Sequence, residues 1–302
     1  DADRAAFLSK SDLATGMVTE FTELQGEMGK EYALLDGEKP EVAKAIFEQY
    51  MPRFAGDILP QQEISRALSL ADKLDNLAAT FLRGLIPTGS QDPFALRRQT
   101  IGAVNILTDG KIHWDIRRGI EAALALLPGD EETKKTVLSQ IEDFFRQRIK
   151  AIMLDEGIAY DIIDAVLAGP VDDIYALFLK ARSMAESQLK DEAELRQAVT
   201  RLANITKGKT GGKVDPSLFT EDVEKKLQDA FEAVSAKALP LFASYEYGKA
   251  LPALKELTAP INDYLDNVMV MVDDEAVKNN RISQLLATLA LFNTWGDFSK
   301  LV

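Results

Sequence analysis

Two sets of side chains in this chain have the types and spacing to act on charged ligands. Asp72 and Asp75 stand three residues apart in a helical pattern, and Arg97 and Arg98 follow just beyond the turn that ends it. Two acidic and two basic groups thus flank one rigid elbow. The second set is the stretch from Leu195 to Val214, where Arg196, Arg201, Lys207, Lys209 and Lys213 occur with no acid between them. Such a stretch makes a local field that draws a polyanion. Each set also has a plain alternative, a solvated helix face or a solvated loop. His113, the one histidine, sits beside Trp114 with no acid, nucleophile or second ligand next to it, and reads as structural.

The elements that must carry these groups all read as helices. Ala71, Leu74, Leu77, Ala78 and Phe81 form the apolar stripe of a helix from Ile64 to Leu82 that brings Asp72 and Asp75 together. Gly84, Pro87, Gly89 and Ser90 cannot continue it, and Asp92-Pro93 has the form of an N-cap and first position of a new helix carrying the arginines. Residues 1–35 read as two helices, and a third runs from Pro40 to Tyr50. Later patterns cover 116–127, 131–153, 160–167, 174–186, 192–205, 221–242, 245–259, 261–268 and 279–292. Gly169-Pro170 is the clearest break. The run Lys207-Gly-Lys-Thr-Gly-Gly-Lys213 is not a phosphate-cradling P-loop, because its last Lys is followed by Val and a helix rather than a strand precedes it. It reads as a flexible basic tip.

With 302 residues, 46% of them hydrophobic, the chain has enough apolar surface for about two domains. The absence of cysteine excludes disulfides and thiolate metal sites and fits a cytoplasmic protein. No apolar run is long enough to span a bilayer, so no membrane role is expected. A net charge of −13 argues against non-specific DNA or RNA binding. The last third is close to neutral, so any polyanion is expected there. Beginning at Asp1 inside a helical pattern, the chain is expected to be part of a longer polypeptide.

Three blocks carry a family resemblance. The first is FLSKSDLATGMVTEFTELQGEMGKEYALLDGE near the start, and the second is ALADKLDNL followed by GLIPTGSQDPFALRR. Both closely resemble the beta subunit of the bacterial two-subunit glycyl-tRNA synthetase. The last block, from Pro260 to Val302, resembles the helical-bundle anticodon-binding domain that this subunit shares with arginyl-tRNA synthetase. Its matching core is Leu265, Val268-Met269-Val270-Met271, Asp274, Asn280-Arg281 and Leu285-Leu286. Lys278 replaces the first arginine of the usual RxNR, keeping charge while losing the guanidinium fork. RLANI at 201–205 echoes a KRxxNI motif of the same family.

The resemblance implies an all-α chain in three parts: a degenerate HD-like helical domain over 1–112, a helical linker over 113–170, and a DALR-like anticodon-binding bundle over 171–302. It implies that glycine tRNA and the synthetase alpha subunit are partners, and that aminoacylation, with its ATP and Mg²⁺, takes place on the alpha subunit, so that this chain carries no catalytic residue and no cofactor. It also nominates tRNA-facing groups: Arg201, Asn204, Lys278, Asn280 and Arg281, beside Arg196, Lys207, Lys209 and Lys213 from the basic stretch and Arg97 and Arg98 from the elbow.

In active HD phosphohydrolases a His-Asp pair, further histidines and a late aspartate hold metal. Here the pair reads Ser11-Asp12, the later histidine region reads Glu48-Gln49-Tyr50, and the late aspartate is Asp72. Without imidazoles that chemistry is expected to be lost. A working metal-dependent phosphohydrolase is the competing reading.

Overall fold

The computed structural model describes residues 1–301, and among them there are fifteen α-helices, short 3₁₀ turns and no strand. None of these helices is long and apolar enough to cross a membrane. The chain forms two compact units, one of Asp1–Ala151 with Val171–Tyr175, the other of Ile152–Pro170 with Ala176 onward. This division differs from the three segments expected from sequence, since the middle segment is shared out between the units.

The first unit holds α1 (Ala2–Leu8), α2 (Gly16–Glu20), α3 (Glu27–Leu35), α4 (Pro40–Glu48), α5 (Glu63–Leu82), α6 (Leu96–Asp109), α7 (Ile116–Ala125) and most of α8 (Glu131–Asp155). Helix α5 is its axis: α4, α6 and α7 all pack on it. Its inward face is Leu70, Leu74, Leu77, Ala78 and Phe81, the stripe read from sequence except that Leu70 is buried and Ala71 is exposed. Helix α7 lies close to α5 because Gly119 has no side chain; a Cβ there would stand 2.3 Å from the Trp114 ring and 2.8 Å from Leu74.

The segment 1–35 is more broken than two helices. Thr15 caps α2 by accepting from the Val18 N–H, and Gly26 opens α3 at φ +84°, a conformation other residues rarely adopt. At the elbow, Asp92 is indeed the capping side chain, accepting from the N–H groups of Leu96 and Arg97, but the helix starts at Leu96 rather than Pro93. Ala95, left-handed at φ 52°, takes up the turn between them.

The second unit holds the end of α8, then α9 (Tyr160–Val166), α10 (Ile174–Glu186, whose first residues belong to the first unit), α11 (Ala193–Thr206), α12 (Asp222–Ala243), α13 (Leu251–Lys255), α14 (Thr258–Asn267) and α15 (Glu275–Asn293). Helices α11 and α12 each pack against both α14 and α15. The single helix expected over 245–259 is instead a 3₁₀ turn, Tyr247–Ala250, followed by the short α13. Tyr245, at φ 59°, and Pro252 near the start of α13 account for the interruption. The C-terminal turn closes the unit: the indole N–H of Trp295 donates to Ser183 Oγ at 3.0 Å and to the Lys180 carbonyl at 3.2 Å, and the Asp297 N–H donates to the Ala165 carbonyl.

Candidate nucleic-acid interface

The basic stretch covers nearly all of α11 and the loop after it, and α15 holds that loop in place. Asn280 exchanges two hydrogen bonds with the backbone of Asp215, accepting from its N–H at 2.7 Å and donating to its carbonyl at 2.9 Å. Ser283 Oγ accepts from the Gly212 N–H at 2.8 Å. Gly211 lies so near that a Cβ would come within 3.2 Å of the Ser283 backbone. The loop read as a flexible tip is therefore anchored at both its middle and its end. Lys207, Lys213 and Asn204 are exposed, and among the described residues none of the three lysines forms an ion pair. Lys209 instead reaches Met271 Sδ at 2.9 Å, joining the basic loop to the 268–274 loop, where Met269 and Met271 are exposed.

Arg281 and Asn280, expected to face RNA, are buried, with 4% and 5% of their surface exposed. The Arg281 guanidinium donates to Glu224 at 3.0 Å, to Thr220 Oγ1 at 2.7 Å and to the Met269 carbonyl at 2.8 Å. Its charge is spent inside the bundle. Burial alone would raise the Glu224 carboxyl, but hydrogen bonds from Arg281 and from the Glu221 and Thr220 N–H groups bring it below the usual range. The same contact, ahead of the opposing effect of burial, raises Arg281. These two motif residues therefore position loops: Asn280 the basic loop, and Arg281 the loop carrying Met269.

Other cations expected to face RNA are also engaged within the protein. Arg201 joins α11 to α14, donating to Asn262 Oδ1 at 3.0 Å and to Asp266 Oδ1 at 2.5 Å. Arg196 donates to the backbone carbonyls of Leu301 and Lys190. Lys278 pairs with Glu275 one turn earlier. Of the cations nominated in this unit, the lysines of the loop are the ones that no carboxylate or backbone carbonyl engages among the described residues.

In the first unit the elbow residues separate. Asp72 and Arg98 line one cavity, whereas Asp75 lines another between α5 and α7. Arg97 donates to the Gly89 carbonyl and Arg98 to the Arg53 carbonyl. His113 does have an acid partner, Asp173, 2.8 Å away and sixty residues along the chain, and its ring lies 4.9 Å from that of Tyr175. That separation hid the pair from local sequence reading.

At the positions matched to an HD metal site, Asp12 is buried and accepts from the Gly26 N–H at 2.6 Å, and Asp72 is paired with Lys10 at 2.8 Å. The Lys10 ammonium also lies over the Tyr50 ring, and burial pushes the Tyr50 hydroxyl up to about 12. Beside Asp72, Lys73 turns inward, 3% exposed, donating to Ser69 Oγ at 2.7 Å and to the carbonyls of Met51 and Gln49. Among the described residues no group of three His, Cys, Asp or Glu is placed to hold a metal ion. Ammonium groups next to the remaining carboxylates are a donor set that does not fit a dication.

Burial also lowers Lys73, to about 8 from an ordinary 10.5. Between those values the unfolded chain holds a proton that the folded chain does not, so the first unit should gain stability as pH rises from about 8 to 10.5. The slope approaches roughly 1.4 kcal/mol per pH unit for this one group. Urea titrations across that range should show the rise in the parent and a flatter profile in Lys73→Met.

Comparison with known proteins agrees with this architecture. Residues 1–168 match the family model described as glycyl-tRNA synthetase beta subunit, and residues 195–296 match the DALR anticodon binding domain. The chain is 45% identical over its whole length to the glycine–tRNA ligase beta subunit of Clostridioides difficile, 42% identical to that of Desulforamulus reducens and 41% to that of Shouchella clausii. It covers 44% of the length of each of these relatives. With the beta-subunit model matching more than half of it, the chain belongs to the glycyl-tRNA synthetase beta-subunit family.

Proposed function

We propose that this chain is a tRNA-docking part of a cytoplasmic glycine–tRNA ligase: it grips the anticodon arm of glycine tRNA while ATP- and Mg²⁺-dependent aminoacylation proceeds on the alpha subunit. The observation that carries the reading is the acid-free loop 207–213, anchored to α15 by Asn280 and Ser283 within the span that matches an anticodon-binding model. In a chain of net charge −13, RNA can be held only where the local field reverses the global one, and this loop is such a place. Lysine ammonium groups are point charges that grip phosphate, whereas reading unpaired bases needs planar hydrogen-bonding groups. The exposed amide of Asn204, at the end of α11, is the planar group beside them. The competing hydrolase reading has against it the two lysines at the matched metal position.

Lys207, Lys209 and Lys213 changed together to alanine should weaken glycine tRNA and other tRNAs alike in filter binding. The slope of log K against log salt should flatten by up to about 0.7–0.9 for each phosphate that is no longer neutralised. Unchanged affinity and slope in a variant folded by circular dichroism would place the docking surface elsewhere.

A further inference from the structure

The cavity of about 620 Å³ beside α5 is a site of different chemistry from the basic loop. Its wall includes Lys10, Arg53, Lys73 and Arg98 against only two carboxylates, Glu23 and Asp72. Asp72 is already matched by Lys10, and Arg53 is matched by Asp57 at 3.0 Å. Lys73 is held by neutral oxygens and pairs with no carboxylate, while Arg98 spends one N–H on a backbone carbonyl and is otherwise exposed. The wall thus has an excess of positive charge in a chain that is acidic overall, which focuses the field into the cavity.

Polar and aromatic groups complete the wall. Asn76 and Gln99 line it. Phe54, 56% exposed, offers an apolar face at the edge. The volume is of the size that takes a small molecule. With Lys10 and Arg53 matched, Lys73 and Arg98 stand against one unmatched carboxylate, Glu23, so an anion with several acceptor oxygens meets a net positive charge together with the free N–H groups of Arg98.

We propose that this cavity binds a phosphate group without a metal ion, either as free phosphate or as the phosphate of a mononucleotide, with Arg98 as its direct ligand and Lys73 as buried positive charge behind it. The proposal is independent of the tRNA reading, because it uses none of the loop residues. Binding here involves no bond cleavage.

The test is calorimetric titration of the chain, in EDTA and at low salt, with orthophosphate, AMP and adenosine as separate probes. Orthophosphate and AMP should bind and adenosine should not. AMP tighter than orthophosphate identifies a nucleotide as the ligand, and equal affinities identify phosphate alone. Arg98→Ala should weaken binding by about tenfold or more, as expected when a charge-assisted hydrogen bond is removed, and Arg98→Glu should abolish it. Arg98 is exposed, so both variants should keep the parent circular dichroism spectrum. Adenosine binding as well as AMP, binding only when Mg²⁺ or Mn²⁺ is added, or unchanged affinity in Arg98→Glu would each overturn the proposal.

Discussion

Arg281→Met should destabilise the second unit by about 3–5 kcal/mol, the usual consequence of removing one partner of a buried ion pair. Glu224 is fully buried, and without the guanidinium its carboxylate keeps only the backbone N–H groups of Thr220 and Glu221 and the Thr220 hydroxyl. The Thr220 hydroxyl and the Met269 carbonyl lose their donors as well. Urea denaturation should show the loss, and the double variant Arg281→Met with Glu224→Gln should recover a large part of it, since the stranded charge is then gone. Acid adds a second readout. The folded Glu224 carboxyl lies below its ordinary 4.5, so its contribution is fully present above that value and is lost as pH falls through the folded pKa. Removing the arginine should bring that loss to higher pH. A single variant as stable as the parent would show that the pair adds nothing.

Trp295→Ala should be of similar size, about 3–5 kcal/mol, from the cavity left by a large aromatic side chain. Trp295 is fully buried, meets Phe298 edge-on at 5.7 Å and bonds two acceptors near the end of α10. For a unit of this size the midpoint of thermal unfolding should fall by roughly 6–20 °C. Trp295→Phe separates the two parts of the effect, because it keeps most of the ring packing and gives up only the indole N–H. A shift of Trp295→Phe as large as that of Trp295→Ala would mean that the hydrogen bonds, not the packing, hold the C-terminal turn.

How much of this was legible in the sequence depended on whether burial follows a local pattern. The stripe on α5 is periodic, and its helix was readable almost to the residue. The capping role of Asp92 was readable too, although the helix start was not, because no local rule signals that an alanine will turn left-handed at 95. The burial of Asn280 and Arg281 escaped the sequence for a different reason. From Asn280 to Leu285 six consecutive residues of α15 are buried, so polar side chains are inside on every face and no amphipathic stripe warns of it. The partner that accounts for Arg281, Glu224, lies 57 residues away. In the same way the acid that pairs with His113, Asp173, reaches it only through the fold.

The short segment Val171–Tyr175 belongs to the first unit, although both its flanks belong to the second. The polypeptide therefore passes from one unit to the other three times, and no single scission yields two intact halves. A cut at Gly169-Pro170, the position that composition favours, would leave a front piece lacking Asp173, which His113 binds, and Asp172, whose carbonyl receives the Ile116 N–H. The back piece would in turn lack α9, whose Ala165 carbonyl receives the Asp297 N–H. Dissection of this chain into expressible parts accordingly calls for two fragments supplied together, or for a rearranged gene in which 171–175 is joined to the front piece and 152–170 to the back.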